Sequence, residues 1–173
     1  MPESDLVVQK LRSRFPDSLR EIRYFRGETT VVLRREDILD VCRFLRDDPE
    51  LQFDYLSDLC GVDYLGRGPR FEVVYNLYSL AFNRRLRLKV GVPSDEPSLP
   101  SVVGVWPTAN WHEREVYDMF GLSFQGHPDL RRILMPDDWH GHPLRKDYPL
   151  TAEPSAFTHN ARAIAAGKPL AKE

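Results

Sequence analysis

The stretch 111–150, WHEREVYDMFGLSFQGHPDLRRILMPDDWHGHPLRKDYPL, limits what this chain can fold into more than any other. After Gly121 it loses helical and strand periodicity, and Pro128, Pro136, Pro143, Pro149, Pro154 and Pro169 divide everything that follows. A proline lacks the amide hydrogen and biases the residue before it toward extended backbone, so no run between two of them becomes an independent element. Yet Leu122, Phe124, Leu130, Ile133, Leu134, Met135, Trp139, Leu144, Tyr148 and Phe157 are too apolar for a solvated tail. Such a segment needs a surface other than its own. Some of it is expected to fold back on the preceding domain and much of it to lie on a partner protein. The division expected is therefore an α+β domain over 1–121 and an extended partner-docking tail over 122–173.

The stretch opens as a helix. Pro107 closes off what precedes it, Asn110 is placed to cap it, and Glu113 stands three residues on to return the hydrogen bond. Gly121 suits the left-handed position that ends a helix. Val116 and Phe120 lie four apart, Trp111, Glu115 and Met119 form a second stripe, and Arg114 and Asp118 have the spacing of an ion pair. Glu113, Glu115 and Asp118 repel one another on two turns unless cations meet them. Arg114 answers one; Arg131 and Arg132, or a partner, answer the others. The plainer alternative is an exposed charged face.

An internal echo follows. Gly126-His127-Pro128-Asp129-Leu130-Arg131-Arg132 resembles Gly141-His142-Pro143-Leu144-Arg145-Lys146-Asp147. In each, glycine permits a sharp bend and proline holds the preceding histidine extended, ahead of a leucine and two cations.

Upstream, Val7, Val8, Leu11 and Phe15 predict a helix ended by Pro16. Strands are expected over 19–25 and 29–33, and a helix over 35–47 with Ile38, Val41, Cys42 and Leu45 inward. A third strand, over 53–64, carries Ser57, Asp58 and Gly61 and so a bulge or bend. The run 71–80 is apolar on both faces and reads as central, and 84–92 alternates Leu86, Leu88, Val90 and Val92 with Arg85, Arg87 and Lys89. These two strands should form an antiparallel hairpin, and a short helix is expected near 98–103. The fold class is α+β: a mostly antiparallel sheet with helices packed on it, followed by a long irregular C-terminal extension.

Several functions are disfavoured. His112-Glu113-Arg114-Glu115-Val116 begins like a zinc-protease helix, but valine stands where the second histidine belongs. His127, His140 and His142 with Asp137 and Asp138 read as polar interface groups before a metal site. Gly66-Arg67-Gly68-Pro69 is a turn without the third glycine of a dinucleotide loop. Cys42 and Cys60 are the only cysteines, too few for a four-thiolate iron–sulfur site. The cations Arg84, Arg85, Arg87 and Lys89 read as a solvated strand face, and a net charge of −2 gives no reason to expect nucleic acid. No apolar run approaches the roughly 20 residues of a membrane span, and no signal peptide is recognisable. The chain is expected on the cytoplasmic side, meeting a membrane only through partners. No catalytic, cofactor-binding or metal residue is expected.

Glu113-Arg114-Glu115-Val116-Tyr117-Asp118-Met119-Phe120-Gly121 and the first Gly-His-Pro unit resemble the signature of the 30-kDa-type subunit of respiratory complex I, and Trp139-x-Gly-His-Pro-Leu-Arg-Lys-Asp-Tyr-Pro-Leu150 continues the likeness. The resemblance implies a peripheral-arm subunit that scaffolds the quinone-side module and packs chiefly against the large quinone-site subunit. NADH, flavin, iron–sulfur clusters and quinone are then held elsewhere in the complex. It implies as interface and assembly determinants Glu113, Arg114, Glu115, Asp118, Gly121, Gly126, His127, Pro128, Arg131, Arg132, Trp139, His142, Arg145, Lys146, Asp147 and Tyr148. Two alternatives stay open at this point: the equivalent subunit of a membrane-bound hydrogenase or other quinone-reducing dehydrogenase complex, and a stand-alone RNA- or phosphate-binding protein.

Overall fold

The computed structural model describes residues 4–149, the side chains of residues 4 and 5 excepted. The expectations for Pro154, Phe157 and Pro169 lie outside the described residues. Helix α1 (Ser4–Arg14) buries Val7, Val8 and Leu11. Strands β1 (Leu19–Phe25) and β2 (Glu28–Leu33) form a tight hairpin, with Arg26 and Gly27 both at positive φ as such a turn requires. A single 3-10 turn (Arg35–Asp37) leads into α2 (Ile38–Asp47), which turns Ile38, Val41, Cys42 and Leu45 inward. Then come β3 (Tyr55–Asp63), β4 (Phe71–Ser79), β5 (Arg84–Val92), β6 (Ser98–Pro100), α3 (Ala109–Phe120) and β7 (Ser123–Gln125).

The main sheet runs β1-β2-β5-β4-β3. Three of its pairings are antiparallel; β2 and β5 are parallel and join the N-terminal hairpin to the β3-β4-β5 meander. One face carries Val31, Leu33, Leu56, Phe71, Val73, Tyr75, Leu77, Leu88 and Val90 into a single apolar cluster with Leu11, Ile38, Val41 and Leu45. The other face is polar. A chain of contacts crosses it from Glu28 to Arg87 (2.9 Å), Asn76 (3.1 Å) and Asp58 (3.3 Å), while Lys89 pairs with Glu72 at 2.7 Å. Two of the four cations of β5, Arg87 and Lys89, are thus tied up by neighbours in the sheet. The bulge expected in β3 falls at Ser57, where the pairing with β4 shifts between Leu56 and Asp58.

Three expectations change. Residues 98–100 form a strand paired in parallel with β7, where a short helix was expected. Pro100 holds Leu99 extended, and Leu99 is buried against the core. Helix α3 begins at Ala109, so Asn110 stands inside it and caps nothing. Trp106, buried and bonded through Nε1 to the Phe53 carbonyl at 3.1 Å, fixes this start, since Ala109 N–H donates to the Trp106 carbonyl. Third, Leu122 and Phe124, expected in the docking tail, are core residues of the domain itself.

Gly61 sets how closely α3 approaches the sheet. A Cβ there would meet the Phe120 ring at 2.7 Å. Gly61→Val should therefore destabilise the protein by roughly 1–3 kcal/mol through overpacking. The urea midpoint should fall with an unchanged slope, and adding Phe120→Leu should recover part of the loss. An unchanged midpoint would show that the approach is not constrained.

Candidate interface site: the strap over helix α3

Residues 126–149 contain no regular element, yet they are held along α3 at nearly every turn. The last four carbonyls of a helix have no partner within it. In this chain each has one. Gly121 N–H, at φ 70°, returns to Tyr117 O at 2.8 Å. His142 Nδ1 donates to Asp118 O at 2.9 Å, Leu144 N–H to Met119 O at 3.1 Å, and Arg145 Nε to Phe120 O at 2.6 Å. Three come from the second Gly-His-Pro unit and its followers. The guanidinium of Arg145 also sits where the helix dipole is negative. A Cβ on Gly121 would come within 2.5 Å of His142 Nε2, so the strap fits only over a glycine.

The first unit holds the other end of α3. His127 Nε2 donates to Asn110 O at 3.2 Å while its Nδ1 accepts the Asp129 N–H at 3.0 Å, which places the ring hydrogen on Nε2. Gly126 and Gly141 both take φ 83°, so the echo in sequence is an echo in conformation. The two histidines carry their hydrogen on opposite nitrogens, each chosen by the helix carbonyl it meets. Burial, the largest influence, and the nearby cations Arg145 and Arg132 hold the His142 pKa below its ordinary value against the helix carbonyl, which favours the neutral donor.

Asp118 is the centre of the site. It is fully buried, and its Oδ2 accepts three successive N–H groups, from Ile133 (3.1 Å), Leu134 (2.8 Å) and Met135 (2.8 Å). Oδ1 meets Arg132 Nη1 at 2.5 Å. Burial pushes this carboxyl up, but the hydrogen bonds from Met135, Arg132, Leu134 and Ile133 outweigh it and keep the pKa low. Arg132 also donates through Nη2 to Trp139 O and Gly141 O, both at 3.0 Å. The expected Arg114–Asp118 pair is replaced. Arg114 instead donates to the Arg131 and Arg132 carbonyls at 3.2 and 3.0 Å and covers the Trp111 ring at 5.3 Å. The strap's own backbone and cation outcompete the neighbour four residues away.

Glu113 also departs from its expected capping role. Fully buried, it accepts from Ser101 Oγ at 2.6 Å and Val102 N–H at 2.7 Å, docking α3 onto the loop after β6. Burial raises its pKa to about 7, against the lowering effect of those two bonds. Two residues missed from sequence tie down the strap's end. Asp63 on β3 receives Arg70 at 3.0 and 2.9 Å and the Lys146 N–H at 2.9 Å, and Arg70 bridges on to Asp147 at 2.7 Å. Their seven-residue spacing across a Gly-Pro turn was the available signal; Ser101 offered none.

Of the remaining residues, Glu115, Pro128, Arg131 and Lys146 are exposed. Arg131 pairs with Asp129 at 3.0 Å on the surface. Tyr148 closes the strap on itself by donating to His140 O at 3.3 Å. Among the described residues, Trp139 Nε1 is buried without a partner. No group of three His, Cys, Asp or Glu suited to a metal is present among them. No helix among them is long and apolar enough to cross a membrane.

The fold and strap define a five-stranded α+β domain whose last helix is overlaid by a twice-repeated Gly-His-Pro segment. The chain belongs to the family of the respiratory-chain NADH dehydrogenase 30 kDa subunit, matched over residues 31–154. It is 60% identical over 167 residues to the C subunit of the NADH-quinone oxidoreductase of Roseiflexus sp. (strain RS-1), covering 96% of each chain. It is 56% identical over 151 residues to the corresponding C subunit of Geobacter sulfurreducens, covering 87% of this chain and 92% of that one. Among solved structures it is similar to a trypsin-resistant fragment (1–134) of Nqo5, with TM-score 0.63 and 36% identity over 73% of this chain and 98% of that one. It shares its fold with a chain of an archaeal membrane-bound sulfane sulfur reductase, with TM-score 0.73 and 24% identity over 87% of this chain and 88% of that one.

Two buried carboxylates should respond to pH with opposite sign. Asp118 has a lowered pKa, so its contribution is present above about pH 4 and is lost in acid. Asp118→Asn should cost roughly 3–5 kcal/mol at neutral pH and speed trypsin cleavage at Arg131 and Arg132. Equal cleavage rates would contradict the role assigned to Asp118. Glu113 has a raised pKa, so the wild type should lose roughly 3 kcal/mol relative to Glu113→Gln as pH rises from 4.5 to about 7. Parallel stability curves for the two proteins would show that the buried carboxyl does not titrate in this range.

Proposed function

We propose that the chain is a peripheral-arm subunit of a proton-translocating NADH:quinone oxidoreductase, respiratory complex I, and holds no redox centre of its own. In this reading it scaffolds the quinone-side module and packs chiefly against the large subunit of the quinone site. It reaches the cytoplasmic face of the bacterial membrane only through the complex. NADH, flavin, iron–sulfur clusters and quinone belong to other subunits.

Family membership supports the assembly named, and one observation supports an interface on the strap. The strap is pinned, yet it holds large apolar side chains outward. Leu134 is 60% exposed although its N–H is bonded to Asp118, and Leu144 is 55% exposed although its N–H is bonded to α3. Trp111, 60% exposed, stands on the same helix. Side chains fixed in position but not covered bind without the ordering cost that a loose tail would meet. Of the residues carried over from the family signature, Arg114, Asp118, Arg132, His142 and Arg145 act on a partner through the strap they shape, and Glu113 through the seating of α3 on Ser101 and Val102. Glu115, Arg131 and Lys146 are placed to touch it.

Leu134→Asp with Leu144→Asp should lower recovery of the chain in complex purified from membranes by about tenfold or more, with the thermal melt of the isolated chain unchanged. Arg131→Glu should weaken assembly alone, whereas Arg132→Glu should weaken assembly and stability together. Wild-type recovery of the double-leucine variant would refute the interface.

A further inference from the structure

The two edges of the main sheet are treated differently. The β3 edge has α3 beside it, and the strap's end is bonded to Asp63. The opposite edge, β1, lies four strand spacings away, roughly 19 Å. Among the described residues β1 pairs only with β2. In an antiparallel pair alternate residues aim their N–H and C=O away from the partner strand, so β1 presents unpaired backbone groups over residues 21–25, beyond the shift in its pairing with β2 between Leu19 and Glu21. At its end stand Tyr24, 56% exposed, and Phe25, 69% exposed and the most open of the large apolar side chains described. Arg26 lies over the Phe25 ring at 5.2 Å. Glu21 is taken by Arg23 at 2.5 Å, which leaves Arg20 and Arg26 without an acidic partner among the described residues.

We propose that the outer edge of β1 receives an extended, acidic segment of a neighbouring protein as a sixth strand. Only an extended backbone satisfies the alternating donors and acceptors of a strand edge. The unmatched arginines select acidic side chains in that segment, and the exposed aromatic pair selects an apolar one at its end. A second copy of this chain fits poorly. Antiparallel self-pairing centred on Arg23 sets Arg23 opposite its own copy and Arg20 opposite Arg26, so like charges oppose across the strands. The neighbour belongs to the same assembly, so the inference rests on the proposed subunit role while using a surface remote from the strap. The chain then bridges two contacts, one at each edge of its sheet.

Hydrogen–deuterium exchange of the full chain, alone and within the purified complex, tests this. Alternate amides of residues 21–25 should exchange freely in the isolated chain and at least ~10-fold more slowly in the complex. Arg20→Glu with Arg26→Glu should remove that protection while the chain is still recovered in the complex. Unprotected β1 amides in an otherwise assembled complex would overturn this inference alone. So would protection already present in the isolated monomer, which would place a segment of the chain itself on the edge, or disulfide-linked dimers of an Arg23→Cys variant in dilute solution. Absence of the chain from the complex would end the subunit reading and this inference with it.

Discussion

Everything distinctive in this structure depends on the C-terminal end of α3. A helix that stops leaves four carbonyls to satisfy, and most helices leave them to water or to a following turn. In α3, Tyr117, Asp118, Met119 and Phe120 offer their carbonyls to Gly121, His142, Leu144 and Arg145 in order. One buried carboxylate, Asp118, gathers three backbone amides and a guanidinium from the middle of the same segment. A stretch with no capacity for secondary structure thereby acquires a defined path. The bonds to Asp118 are strong because its carboxylate is buried and the one to Arg132 is charge-assisted, and each would be costly to leave half-made. That cost is what makes the arrangement single-valued.

The rest of the fold brings α3 to where this can happen. Gly61 lets the Phe120 ring rest against β3, and Glu113 pins the front of the helix to Ser101 and Val102. The strands β6 and β7 hold the segments before and after α3 side by side, so the helix sits in a closed loop of backbone. From there the strap passes back to β3, where Asp63, Arg70 and Asp147 fix its end. The result is a rigid edge on one side of the sheet and a bare one, β1, on the other.

Much of this was legible in the sequence, and the rest was hidden for identifiable reasons. Alternation in 84–92 and the apolar spacing of 35–47 gave β5 and α2, because local periodicity and burial agree there. Gly121 gave the end of α3 because its backbone geometry admits little else. The Gly-His-Pro echo was visible, but its purpose was not, since carbonyl partners of histidine leave no trace in spacing. Arg114 and Asp118 stood at pairing distance along the helix and were both claimed by residues 14–18 positions further on. Loss of periodicity after Gly121 predicted irregular backbone, which holds over residues 126–149 but not for Ser123–Gln125, which form β7. It does not exclude an irregular segment held by the side chains of its neighbours, and so the strap's attachment to its own domain was underestimated.

The most direct measurement is amide exchange across the strap in the isolated wild-type chain, away from any partner. If α3 holds the strap, the N–H groups of Ile133, Leu134, Met135 and Leu144 should be protected well beyond neighbouring exposed positions such as Asp137 and Asp138, although none of the four lies in a helix or strand. Exchange of all four at the rate of a free peptide would mean that the strap is ordered only by a partner, and that Asp118 and the end of α3 do not hold it.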